Sequence, residues 1–259
     1  MTSPGLEHFD LSSRKAVVLG ADTPGGSAVA RAYAEAGAAI LLYVSGRSES
    51  VETLRRDVVA MGACCELIVG DTSAPEHAGE AVRSAALAMG GLDILAICPD
   101  VFLAKPITET SDEELNHIVV ANFSVPFAAI RAATVEMRGR AQGGRLLLLT
   151  HVLGERGLPN TSAYGAAHAA TQNLVRTLGR ELGPDGITIN AISLGWMEWM
   201  SDRIDPDDQE AARAVRFAIL KRAGRSEDIG PMAVWLSGSG AGYVTGQVFH
   251  LDGGLTQHL

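Results

Sequence analysis

Short apolar runs alternate with longer amphipathic stretches along the whole chain. Ala16–Gly20, Ile40–Val44, Cys65–Val69, Ile94–Ile97, Leu146–Leu149, Ile187–Ile192 and Gln247–Leu251 are short, mostly apolar runs. They lack the strict alternation of a sheet with one wet face. Between them, Ser27–Ala36, Val51–Met61, His77–Met89, Glu113–Ala133 and Ser162–Glu181 carry apolar residues at helical spacing. Strands buried on both faces and separated by helices predict an α/β domain: a Rossmann-like, doubly wound parallel sheet of about seven strands, with helices on both faces. Ligands of such sheets bind in the crevice beyond the carboxyl ends of the strands.

No repeat, low-complexity tract or Pro/Ser-rich linker divides residues 1–259, so a single domain is expected, large enough for a sizeable core. The net charge is −9 and the Lys and Arg residues are scattered, which argues against nucleic acid or an anionic membrane surface as a partner. No apolar run approaches the roughly 18 residues of a membrane span. The start, MTSPGLEHFDLSSRK, lacks a basic-then-apolar signal pattern. Cys64, Cys65 and Cys98 have no metal or redox spacing. A reduced cytoplasmic protein with a small-molecule substrate and no metal site is the expectation.

The first strand runs into GADTPGG, Gly20–Gly26. A glycine-rich turn between strand and helix lets backbone approach a pyrophosphate at the helix N-terminus, so Gly20, Asp22, Gly25 and Gly26 are candidate cofactor residues. Pro24 removes one N–H donor from that turn. The second strand ends in YVSGRSES, with no acid before Glu49 to accept from a ribose hydroxyl. Ser45 and Arg47 would suit a 2′-phosphate instead, which favours NADP(H) over NAD(H). Asp71 and Thr72 follow the third strand as further candidates.

GADTPGG, GDTS, LDIL, VVANFSVPF, SAYGAAH, ELGPDGITINAISLG, GRSEDIG and YVTGQVFHLDGG occur in order over nearly the whole chain. In this the chain resembles the short-chain dehydrogenases/reductases. The resemblance implies an oxidoreductase in which Tyr164 exchanges a proton with a carbonyl or alcohol oxygen and Asn122 completes a water relay. A serine thirteen residues before the tyrosine would donate to that oxygen. A lysine four after it would lower the tyrosine pKa and hold the nicotinamide ribose. Here those two positions are His151 and His168. Other departures are Pro24 for the middle loop glycine, Ile97-Cys98-Pro99-Asp100 for Asn-Asn-Ala-Gly, Leu194 for the proline of Pro-Gly, and Trp199 for a threonine near the carboxamide. Asp71 matches the residue that contacts adenine. The C-terminal strand and tail imply a homo-dimer or homo-tetramer, or pairing with a paralogue of the same family.

A free tyrosine titrates near 10. A full cation at about 4 Å, in an effective dielectric near 20, is worth roughly 4 kcal/mol, or about three pKa units. Lysine supplies that charge permanently, whereas histidine is mostly neutral at pH 7. An imidazole at position 151, unlike serine, can also act as a general acid or base. After the sixth strand, residues 196–222 read as a lid in which Trp196, Met197, Trp199 and Met200 line an apolar substrate pocket, plug it, or pack on a partner. Three functions therefore stand open. They are an NADP(H)-dependent oxidoreductase on an apolar carbonyl or alcohol, a non-redox enzyme using His151 and Tyr164, and an inactive partner subunit.

Overall fold

The computed structural model describes residues 5–203 and 214–257. Seven strands form one sheet: β1 (Lys15–Leu19), β2 (Ala39–Val44), β3 (Cys65–Val69), β4 (Ile94–Ile97), β5 (Gly144–His151), β6 (Ile187–Leu194) and β7 (Gln247–Leu251). All are parallel, in the order β3-β2-β1-β4-β5-β6-β7. The direction of winding reverses between β1 and β4, which opens a crevice at their carboxyl ends.

Side chains alternate across each strand, so every strand feeds two cores. Ala16 and Val18 of β1 pack with α1 (Pro24–Glu35), α2 (Glu49–Ala60) and α7 (Ser226–Ser237), while Val17 and Leu19 pack with α3 (Pro75–Met89), α5 (Val125–Met137) and α6 (Ser162–Leu182). Burial on both faces is the reason these strands read as near-continuous apolar runs.

Several boundaries differ from the sequence reading, most of them by one or two residues. α1 begins at Pro24 rather than Ser27, because proline is pre-set for a first helical position and Thr23 caps the turn, its Oγ1 accepting from Gly26 N at 2.9 Å. β5 and β6 are both longer than predicted, paired without a break from Gly144↔Ile187 to His151↔Leu194, so His151 ends a strand. α4 (Asp112–Val119) continues through a π turn at Val120–Ser124 into α5. By length and composition this 26-residue helix is long and apolar enough to cross a membrane, which corrects the expectation that no apolar run approaches such a length. It lies against the sheet as a core helix, with 56% of its apolar window buried.

The β1–α1 turn is drawn tight by two glycines. Gly20 has φ +81°, and a Cβ there would stand 2.6 Å from Cys98 O. A Cβ on Gly26 would stand 2.0 Å from Gly20 O, backbone against backbone. Gly26→Ala is expected to destabilise the fold by about 1–3 kcal/mol through overpacking. Chemical denaturation measures this, and a loss below about 0.5 kcal/mol, the level of an ordinary surface change, would count against so tight a turn.

Candidate active site

The carboxyl end of β5 meets the first turns of α6, and the sequence-predicted histidines and tyrosine converge there. Tyr164 and His168 are four apart on α6 and share a face, with ring centroids 4.3 Å apart. The His151 ring lies 5.5 Å from that of Tyr164 and 6.2 Å from that of His168. Phe102, which follows β4, meets Tyr164 edge-on at 5.0 Å. Tyr164, His151 and His168 are all buried. Gln172, two turns beyond Tyr164, donates from Nε2 to His151 O at 3.0 Å and to Ser193 Oγ at 3.3 Å, tying β5 and β6 to α6.

The backbone fixes the state of His151. Leu153 N–H donates to His151 Nδ1 at 3.2 Å. A backbone N–H can only donate, so Nδ1 is the bare nitrogen and the neutral ring carries its proton on Nε2. Burial pushes the His151 pKa down to about 4, with the Gly195 backbone acting in the opposite direction. His168 Nδ1 shares a 2.9 Å hydrogen bond with Thr150 Oγ1, in which either group can donate. Burial, and secondarily His151, push the His168 pKa down to about 3. Both imidazoles are therefore neutral at pH 7, and each leaves a buried Nε2 without a hydrogen-bond partner among the described residues.

Asn122 sits in the π turn, fully buried. Its Nδ2 donates to Val101 O at 2.9 Å and to Ile118 O at 3.1 Å, and its own carbonyl accepts from Thr171 Oγ1 at 2.7 Å. These bonds brace the segment after β4 against α6, while Oδ1 has no partner among the described residues. Thr150, Gln172 and Thr171, which hold the histidines and Asn122 in place, carry no sequence signal apart from their spacing to Tyr164.

The cleft over these rings is lined by Thr23, Gly25, Pro99, Asp100, Leu149, Leu194, Met197, Trp199 and Met200. The void between them is about 30 Å³, room for little more than a water. Met197, Trp199 and Met200 thus do face the site, as the lid reading expects. Trp196 does not: it is buried in the core cluster that α1 and α7 share, and from its own carbonyl onward the chain is paired with Gly224. Gly224 N donates to Trp196 O at 2.8 Å, and Glu198 N donates to Gly224 O at 2.9 Å. Of the expected lid, 204–213 lies outside the described residues.

Along the other half of the crevice, Thr23 Oγ1 already accepts the Gly26 N–H, and Pro24 has none. Gly25 N–H is the first-turn donor of α1 without a partner among the described residues. Ser45 and Arg47, read from sequence as phosphate ligands, are both held by carboxylates. Ser45 donates to Asp22 from its N–H, at 2.9 Å, and from its hydroxyl. Arg47 pairs with Glu52 at 3.1 Å. Asp71 accepts from Ser73 N at 2.7 Å and lies 3.1 Å from His77 Nδ1, in an exposed turn that also carries Thr72.

The buried histidines make stability depend on pH with a definite sign. Their pKa values fall from about 6.5 in the unfolded chain to about 4 and about 3 in the fold, so the unfolded state binds more protons between these limits. Stability is complete above about pH 6.5 and is lost as the pH falls toward 4. The free energy of unfolding should drop by several kcal/mol from pH 7 to pH 4.5, and the slope should flatten in a His151→Gln/His168→Gln double variant. Denaturant titrations at the two pH values decide this; equal slopes would mean that other groups carry the dependence.

Comparison with known proteins agrees with this architecture. Residues 25–256 match the family model described as enoyl-(acyl carrier protein) reductase. The chain is 26% identical over 244 residues to the 3-oxoacyl-(acyl-carrier-protein) reductase FabG of Staphylococcus epidermidis, covering 94% of this chain and 99% of that one. A dehydrogenase/reductase from Sinorhizobium meliloti 1021 superposes with a TM-score of 0.89 at 29% identity, over 96% of this chain and 98% of that one. A blue fluorescent protein from a metagenomic library, solved in complex with NADPH, superposes with a TM-score of 0.87 at 30% identity, over 95% of this chain and 99% of that one. With a family-model match over nearly its whole length and a superposition that covers 96% of it, the chain belongs to the short-chain dehydrogenase/reductase family of oxidoreductases.

Proposed function

We propose that the protein is an oxidoreductase that takes a nicotinamide dinucleotide and interconverts an apolar ketone or aldehyde with its alcohol. In this reading Tyr164 exchanges the proton and His151 acts as a neutral donor to the reacting oxygen. The observation that carries it is the tautomer of His151. Its Nδ1 is occupied by Leu153 N–H, so the donor that this cleft-lining ring has left beside Tyr164 is Nε2–H. That is the role the family gives to a serine hydroxyl, transferred to a ring that burial keeps neutral. A fixed donor in a site with little water stabilises charge developing on an oxygen without reorganising.

The residues present suit the dinucleotide. Buried polar atoms without partners cost about 1–3 kcal/mol each, and His151 Nε2 and His168 Nε2, in two cleft-lining side chains, are offset when polar ligand groups enter. The Gly20–Gly26 turn, with the Gly25 N–H, would hold the pyrophosphate, Asp22 and Asp71 the adenosine end, and His168 the nicotinamide ribose. When bound, the nicotinamide supplies or accepts the hydride. Tyr164 then gives its hydroxyl proton to the carbonyl oxygen in reduction and takes one from the alcohol in oxidation, while His151 Nε2–H donates to the same oxygen. Leu149, Leu194 and Met197 favour an apolar substrate, which enters as Trp199 and Met200 give way. The lost lysine charge leaves Tyr164 less acidic, so turnover is slow relative to relatives that keep it. A reaction with His151 as base has less support, because that ring already carries its proton on Nε2 and resists a second one.

Turnover of a panel of apolar ketones and aldehydes with NADH and NADPH tests the roles. Tyr164→Phe is expected to lower the rate by about 10²–10⁴-fold. His151→Phe should cost about 10²–10³-fold, whereas His151→Gln, whose amide N–H can replace Nε2–H, should stay within about tenfold. The rate should show no protonation step between about pH 5 and 7, since neither histidine titrates there. Unchanged turnover in Tyr164→Phe would end this reading.

A further inference from the structure

We infer that Asp22 makes this crevice select NADH over NADPH, an inference that rests on the dinucleotide reading above. Asp22 lies in the turn between β1 and α1, yet its carboxylate is fixed over the end of β2. Gly20 N and Ala21 N both donate to Tyr43 O at 3.1 Å, which carries the β1–β2 pairing past the last strand residues and draws the turn against β2. Asp22 Oδ2 then accepts from Ser45 N, at 2.9 Å, and from Ser45 Oγ, at the first residue beyond β2. In doubly wound sheets the adenosine ribose lies at this strand end, where an acid following the glycines accepts from its 2′-hydroxyl. β2 itself supplies no acid here. Asp22 delivers one to the same corner from the opposite side.

The alternative ligand, a 2′-phosphate, meets at that corner two side chains already paired with carboxylates, Ser45 and Arg47. Both donors of Ser45 are taken by Asp22, and the charge of Arg47 is matched by Glu52 at 3.1 Å. Asp71, just past the end of the neighbouring β3, adds a second carboxylate to the same edge. A carboxylate can accept from ribose hydroxyls but repels a phosphate, so the same group attracts one dinucleotide and rejects the other.

Calorimetric titration of the full chain with NADH and NADPH at low ionic strength tests the inference without any turnover. NADH should bind at least about tenfold more tightly than NADPH. Asp22→Asn keeps the acceptor for Ser45 but removes the charge, and should bring the two within about threefold while leaving the melting temperature near that of the parent protein. Raising the salt should narrow the gap in the unmutated protein, a readout that survives even if the variant folds poorly. NADPH binding equal to or tighter than NADH, or a ratio unmoved by Asp22→Asn, overturns the role of Asp22. Failure of both nucleotides to bind at millimolar concentration overturns the dinucleotide reading itself, and this selection with it.

Discussion

Burial of two imidazoles beside Tyr164, which disfavours their charged forms, is the constraint on which the rest of the site depends. Desolvation disfavours the charged ring, and two rings 6.2 Å apart disfavour it further for each other. The pair therefore stays neutral where a lysine would have stayed charged. Of the remaining residues lining the cleft, Asp100 is the one with an ionisable carboxyl, and it bears the wrong sign to stabilise a phenolate. Whatever proton transfer Tyr164 performs is supported by dipoles and hydrogen bonds.

Those dipoles are held by the part of the fold that is paired without interruption. β5 and β6 run side by side through to His151 and Leu194, and Gln172 ties the end of that ladder to α6. Because His151 ends a strand and caps the turn after it, its ring orientation follows from the backbone and not from a mobile loop. A donor set in this way is worth more than one in water, since it need not reorganise as charge develops.

The sheet was legible in the sequence because burial on both faces leaves apolar runs that no one-sided strand shows, and all seven runs are strands. The tyrosine and both histidines were legible through the family resemblance, which fixes their spacing. What escaped were features set by partners far away in sequence. The start of α1 depends on Thr23 capping a turn that Pro24 already favours. The core position of Trp196 depends on Gly224, 28 residues later. Nor does sequence reveal which carboxylates reach Ser45 and Arg47. The tautomer of His151 depends on a backbone N–H two residues on, a contact the turn creates and no motif records.

The two ends of the crevice share one electrostatic character. At the reacting end stands the neutral His168, and at the end of β2 the Asp22 carboxylate. Between them, the α1 N-terminus offers few donors, since Pro24 has no N–H and Thr23 holds that of Gly26. The helix dipole remains as attraction for an anion, equivalent to about half a unit charge. On the proposed dinucleotide reading, both ends therefore bind through hydrogen bonds from neutral or acidic side chains and not through charge attraction, which is the same physical reason that Tyr164 works without a neighbouring cation and that the dinucleotide with fewer phosphates is the better fit.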